Sequence, residues 1–363
     1  MSILCMKTRT CILLFTCVFG SITVSFLLIR EDESKWLMSE TQKQIQNLKK
    51  LNEKPGLHKI AETEPYLKYL GFNEEETNDE LFNKKDLDRL YPTIVIPAES
   101  GQGSDTVALI KSVQKYLSKY SVVIYNIGLG YFEKKNVRKE CNYANKTIGS
   151  CALKDFDWSK YPAHVSVIKY GAYKPIVIQE VLNNTGAVLF LTPPHRIISD
   201  EIGPTLQHAK KIGLTAWSQT DPTSAITHHK VYSFFHTKEK NYYFHRTVSQ
   251  DRLVIYNTPE IRKQLLLPWL QCALTYRCVA PVGSQDSGCR QYRKPLFIYS
   301  GCHGYDASIL NIVLGLMFRF EAAPYSESEP GFFVTGPGLV PVPTTTATPP
   351  PVPPIGKRTF RRK

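Results

Sequence analysis

Apolar and polar positions divide the 363-residue chain into five stretches: 1–10, 11–29, 30–88, 89–328 and 329–363. Cys11 to Ile29 is a run of nineteen residues without a charge. At about 1.5 Å per residue, a helix of that length spans the ~30 Å hydrocarbon core of a bilayer. Lys7 and Arg9 precede it, and Arg30, Glu31, Asp32 and Glu33 follow. Positive charge upstream predicts an N-terminus in the cytosol. The alternative is a cleaved signal peptide, whose apolar region is usually about 7–15 residues and ends in small residues. This run is longer and ends in Phe26-Leu27-Leu28-Ile29. Both readings put the rest of the chain in the secretory lumen. Residues 30–88 are rich in Lys and Glu and read as a stem. Residues 329–363 read as a disordered Pro/Thr-rich tail with a basic end.

Within 89–328 the periodicity alternates between strand and helix. Thr93–Ile96 is a β-branched run, followed by the loop Pro97–Gly103. Asp105–Tyr120 places Val107, Ile110, Val113 and Leu117 on one helical face. Ser121–Tyr125 is a second strand, which completes a βαβ unit with a parallel pair. A helix over Lys174–Leu182 and a buried strand over Gly186–Leu191 come next. A helix over Glu201–Ile212 is expected with Ser199 as N-cap. Arg252–Tyr256 reads as a strand, Thr258–Leu274 as a helix with Pro259 in its first turn, and Asp306–Phe320 as a last helix. The prediction is an α/β fold with a mixed, mostly parallel sheet.

The net charge is +13. Five of those charges (Lys357, Arg358, Arg361, Arg362 and Lys363) sit at the extreme C-terminus, and Lys7 and Arg9 precede the apolar run. The folded part is mildly basic, which with a lumenal location argues against nucleic acid and fits a phosphate-bearing substrate. Cys5, Cys11 and Cys17 lie in or before the apolar run; Cys141, Cys151, Cys272, Cys278, Cys289 and Cys302 remain. An even number in an oxidising compartment suggests three disulfides. Of the fifteen pairings that six cysteines allow, short spacing favours Cys141–Cys151, Cys272–Cys278 and Cys289–Cys302. Asn145-Lys-Thr and Asn183-Asn-Thr are N-glycosylation sequons.

Several segments together resemble the nematode-expanded family of domain of unknown function 1647, whose members look like type II membrane glycosyltransferases. They are Val122–Leu129, Asp155–Pro162, Tyr173–Leu182, Gly186–Leu191, Thr227-His228, Pro268–Leu274 and Cys302–Asp306. The resemblance runs over about residues 91–320. It implies the Rossmann-like nucleotide-diphosphate-sugar transferase fold behind an N-terminal transmembrane helix. It also implies a single-pass protein of the Golgi or endoplasmic reticulum. Ligands of open α/β sheets bind beyond the carboxyl ends of the strands. That places Pro97–Gly103, Asn126–Gly130, Thr192–Arg196 and the loop before Asp306 around one cleft.

Glycosyl transfer needs charge stabilisation of the diphosphate and, for inversion, a base for the acceptor hydroxyl. Similar proteins carry a metal-binding carboxylate just after the strand corresponding to Gly186–Leu191; manganese is the metal such a site would take. Here Thr192-Pro193-Pro194-His195-Arg196 stands in its place, so the identity of any metal is unknown. Three readings follow. His195 and Arg196 neutralise the diphosphate, Asp200 or Glu201 reaches back to a metal, or catalysis has been lost. Ser100 and Gly101 are expected to approach the nucleotide. Asn126 is expected beside them, where related sequences often carry Asp. Asp306 is the candidate base or, alternatively, a helix cap, with His303 beside it. His228 and Trp217 are candidates for the acceptor side, and Trp269 for the core. The leading expectation is a nucleotide-sugar-dependent glycosyltransferase-like protein with a glycan acceptor. The alternative is a catalytically inactive relative that binds glycans or proteins at the membrane. Carboxylates converging on Thr192–Arg196 in space would favour the enzyme.

Overall fold

The computed structural model describes residues 62–72, 91–290, 294–327 and 331–336, all within the unit Ile60–Lys363. The apolar run Cys11–Ile29 lies outside the described residues. Among the described residues, no helix is long and apolar enough to cross a membrane.

A seven-stranded sheet organises the chain. Its strands are β1 (Thr93–Ala98), β2 (Ser121–Asn126), β3 (Ser150–Asp155), β4 (Ala187–Leu191), β6 (Leu214–Pro222), β7 (Arg246–Tyr256) and β8 (Ser326–Glu327). The spatial order is β3-β2-β1-β4-β7-β6-β8. β3, β2, β1 and β4 run parallel; β7 is antiparallel to both β4 and β6, and β8 is parallel to β6. The expected mixed, mostly parallel sheet is therefore present. A separate pair joins β5 (His195–Ile197) to β9 (Phe333–Thr335).

The two-residue alternation of the strands divides the core into two layers. Ile94, Ile96, Val122, Ile124, Leu189 and Val254 face one side. That side is covered by α2 (Gly103–Tyr116), α3 (Tyr131–Ala144) and α5 (Gly203–Ile212). Val95, Val188, Phe190, Leu253 and Ile255 face the other. There they meet α4 (Tyr173–Thr185) and a long helical stretch with a π turn in its middle. This stretch consists of α7 (Pro259–Ile261), the π turn Arg262–Leu266 and α8 (Leu267–Ala273). The helix α10 (Asp306–Met317) completes the layer; between α8 and α10 lies the short α9 (Tyr276–Val279). A further short helix, α6 (His229–Phe234), follows β6. Every α4 residue from Tyr173 to Gln179 is buried. Its first two turns are buried on every side, with Lys174 and Gln179 among Pro175, Ile176, Val177 and Ile178.

Two boundaries differ from the sequence expectation. Part of the supposed stem is folded: α1 (Glu64–Tyr69) buries Leu67, followed by buried Leu70. Part of the supposed tail is folded as well, since Phe332 and Phe333 are buried and β9 pairs with β5. In both cases a few large apolar residues inside a polar stretch found a core to join. Helix α5 begins at Gly203 with Ile202 as N-cap, so Asp200 and Glu201 lie outside its first turn; Ser199 Oγ accepts from the Glu201 amide.

The three expected cysteine pairs are joined, with Cα–Cα distances of 5.3, 5.2 and 5.3 Å. The sequon asparagines are both engaged. Asn145 Nδ2 donates to the Cys151 carbonyl at 3.0 Å. Asn183 lies inside α4, and its Nδ2 donates to the Leu70 carbonyl at 2.9 Å. A glycan on Asn183 would crowd the contact that seats α1.

Gly213 closes α5 with φ +92°, and an added Cβ would overlap Ile261 Cγ1. Gly203 has open space in the same position. In thermal or chemical denaturation, Gly213→Ala should therefore cost about 2–4 kcal/mol. Gly203→Ala should stay within about 1 kcal/mol of the parent.

Candidate active site

The parallel strands β1, β2 and β4 end on the same side of the sheet, and the loops beyond them meet. The two glycine-bearing loops are tied by one carboxylate. Glu133 accepts the backbone amides of Gly101 (3.3 Å), Gly103 (3.0 Å) and Gly130 (2.9 Å). The Gly130 and Gly103 bonds, with a lesser share from Gly101, hold the Glu133 carboxyl below its ordinary range against a small desolvation effect. The amides expected to meet a nucleotide are thus filled by the chain's own anion. Ser100 is exposed at this turn, and its amide lies 3.8 Å from where a Cβ on Gly128 would be. Asn126 organises the neighbouring loop. Its Oδ1 accepts from the Gly128 and Leu129 amides at 3.1 and 2.7 Å, and its Nδ2 donates to Asp155 at 2.7 Å.

The end of β4 holds what the sequence lacked. The register of the antiparallel β4–β7 pair sets Leu191 opposite Arg252. The Thr192 amide then donates to the Asp251 carbonyl at 3.0 Å. Asp251 therefore stands beside Thr192, although the two are distant in sequence. Its Oδ1 accepts from Lys174 Nζ at 2.9 Å. The Lys174 side chain is 9% exposed and that of Asp251 43%. Burial alone would raise the Asp251 pKa. The charge and hydrogen bond of Lys174 outweigh it, with help from His195 and Arg252, and keep the carboxyl below its ordinary range. Asp251 is an ionised, water-accessible carboxylate held from behind by a buried ammonium.

Three more groups surround the pair. The Tyr173 hydroxyl donates to Glu99 Oε1 at 2.6 Å. Burial raises the Tyr173 phenol well above its ordinary value, followed by the charges of Glu99, Asp306 and Asp251. Asp306 is 1% exposed. Its Oδ1 accepts from the Trp269 indole N–H at 2.6 Å, while its Oδ2 has no hydrogen-bond partner. The helix cap is Tyr305, at φ 46°, and Asp306 is the first residue inside α10. Asp306 therefore makes no cap and is too buried to meet an acceptor hydroxyl in this conformation. Desolvation pushes its carboxyl up to about 7, opposed by Lys174 and Trp269.

The remaining sequence candidates have structural partners. Arg196 is buried and pairs with Asp105 at 2.5 Å, and it also donates to the Pro193 and His195 carbonyls. Its charge is already compensated, which removes it from the diphosphate role expected of it. His195 is buried, with Nδ1 3.0 Å from the Thr192 carbonyl. Trp217 is wholly buried against Phe332 and Phe333, not presented to a sugar. His228 caps α6 through Nδ1, accepting from the Lys230 amide at 3.3 Å. His303 is 2% exposed and lies 3.2 Å from the Val279 carbonyl; burial lowers its pKa to about 4. Trp269 is core, as expected.

Sequence reasoning missed Asp251, Lys174, Glu99 and Glu133. The available signal for Asp251 was a charged pair directly before the apolar run 253–256. Among the described residues, no three His, Cys, Asp or Glu side chains are grouped to hold a metal. One oxygen of Asp251 is committed to an ammonium. These residues do not fit the hard-oxygen cage of a manganese ion.

No family model matches the chain, and no curated protein matches it by sequence. Solved structures similar to it include the apo form of WbbM, a bifunctional glycosyltransferase. That match has 11% identity and TM-score 0.40, and covers 66% of this chain and 39% of that one. Core-mannan synthase A of Aspergillus fumigatus, in its manganese- and GDP-bound form, shares 8% identity with TM-score 0.38. Coverage is 62% of this chain and 69% of that one. Mouse xyloside xylosyltransferase 1 in its apo form shares 8% identity with TM-score 0.37, covering 66% and 84%. This chain thus spans well under two thirds of the first. None of these likenesses assigns a role to a residue of this chain.

The buried Asp306 makes stability depend on pH. An unfolded chain releases this proton near 3.8, whereas the fold retains it to about 7. Between those values the folded state binds more protons, so its contribution to stability falls as pH rises. Asp306→Asn keeps an oxygen for Trp269 and removes this penalty. Relative to the parent, it should gain stability from pH 4 to pH 8, by up to about 4 kcal/mol at ~1.4 kcal/mol per unit. Denaturation midpoints across that range provide the measurement.

Proposed function

We propose that this chain is a glycosyltransferase-like protein of the secretory pathway that uses a nucleotide-sugar donor without a metal. The observation that carries the reading is the accessible Asp251 carboxylate at the end of β4, held by Lys174. It supplies an acid at the strand-end position where the family resemblance leads one to look, from the neighbouring strand. In the proposed reaction the anomeric carbon–oxygen bond to the diphosphate breaks as the acceptor oxygen bonds that carbon. Asp251 takes the acceptor proton. Lys174 holds the Asp251 carboxyl ionised for that step.

The cellular placement rests on the charge-free run with its basic upstream flank and on three closed disulfides. In this reading residues 11–29 form a single anchor, the N-terminus is cytosolic, and the domain lies in the lumen of the Golgi or endoplasmic reticulum.

Donor turnover across a nucleotide-sugar panel tests the proposal. Turnover should be the same with manganese and with EDTA, and Asp251→Asn should lower it by about 10²–10⁴ in a folded protein. Loss of turnover in EDTA would refute the metal-free part, and full turnover in Asp251→Asn would refute the base. A parent protein inert on every donor but still binding glycans would leave the inactive, glycan-binding alternative.

A further inference from the structure

A recess of about 400 Å³ opens away from the Asp251 site, on the α4 side of the sheet near β2 and β3. Its volume lies within the range of small-ligand sites. Lys174 and Asn184 stand ten residues apart on α4, a separation of about 15 Å along the axis, so the recess and the Asp251 site are distinct. Leu70, Tyr125 and Phe156 supply its apolar lining.

The polar lining is fixed before any ligand arrives. The hydroxyls of Tyr125 and Tyr161 donate to Glu180 Oε2 and Oε1 at 2.8 and 2.7 Å. Asn184 donates to the Glu180 carbonyl at 2.7 Å, which leaves its amide oxygen for a ligand. Tyr69 is 56% exposed, and its hydroxyl accepts from Lys160 Nζ at 2.7 Å. Lys154, Lys160, Asp155, Asp157 and Glu180 are the charged lining residues; Lys160 pairs with Asp157 at 3.7 Å and Asp155 with Lys134, outside the lining, at 2.6 Å. Charges balanced in this way leave no cluster of free cations to hold a phosphate or nucleotide diphosphate.

We propose that this recess is a carbohydrate-binding site for one or two neutral sugar units, separate from the Asp251 site. Sugar hydroxyls both donate and accept, which matches a lining that mixes carboxylates, an amide oxygen and ammonium groups. The C–H face of a pyranose packs on an exposed ring such as Tyr69. Asn183 also lines the recess. Its amide nitrogen donates to the Leu70 carbonyl, which makes it part of the wall.

The test is saturation-transfer difference NMR on the full chain in a sugar-free detergent. The probes are the methyl glycosides of glucose, galactose, mannose, xylose and N-acetylglucosamine. At least one should receive saturation. Tyr69→Ala and Asn184→Ala, each checked for folding by circular dichroism, should weaken its apparent affinity about five-fold or more. Gly203→Ala should leave it unchanged. No transfer to any glycoside would overturn the proposal, as would a signal untouched by both lining variants. Peptide mass spectrometry showing a glycan on Asn183 would do the same, because that glycan would fill the recess.

Discussion

Lys174 is an ammonium in a place made for apolar side chains. Its neighbours on α4 are buried from Tyr173 through Gln179, because α4 is pressed between β1 and β4 on one side and α8 on the other. An uncompensated charge there would cost several kcal/mol. The chain answers with Asp251, and the pairing fixes much else. It ties the first turn of α4 to β7 and sets an accessible carboxylate at the end of β4. It also leaves Asp306 behind it as a second acid that stays largely protonated to about pH 7. Two carboxylates beside one ammonium are pushed apart in pKa by their surroundings, a division of roles recurrent in acid–base sites.

The other strand-end charges are settled internally as well. Glu133 fills three glycine-loop amides, Arg196 binds Asp105, and Asp155 holds Lys134 at 2.6 Å. The rim of the cleft is therefore largely self-satisfied, with Asp251 as its water-accessible carboxylate. Lys174 compensates Asp251 beside the Thr-Pro-Pro segment after β4. That segment has no carboxylate to offer, and the strand beside it places Asp251 there.

The fold was legible where apolar residues recur with a clear period. α2 was visible from Val107, Ile110 and Val113, and α4 and β4 from their unbroken apolar runs. Helix α3 was not, because only Val137, Cys141 and Ala144 of its fourteen residues are buried. Edge strand β3 reads Ser-Cys-Ala-Leu-Lys-Asp and has one fully buried position, too little for a period-two signal. The site was legible in location but not in membership. The carboxyl ends of β1, β2 and β4 do converge, as topology requires. Asp251 reaches them only through an antiparallel pairing of residues far apart in sequence, which no local pattern encodes. Asp306 looked like a cap because Asp begins many helices. The left-handed turn at Tyr305 instead directs its side chain to Trp269.

The central claim is that Lys174 and Asp251 act as one unit within the folded chain. A double-mutant cycle on stability, with Lys174→Met, Asp251→Asn and the double variant, measures this directly. The account predicts that Lys174→Met and Asp251→Asn are each destabilising and that the double variant loses less than their sum, with a coupling of about 1–3 kcal/mol at neutral pH. Strictly additive losses would contradict it, because Lys174 and Asp251 would then be near one another without depending on one another.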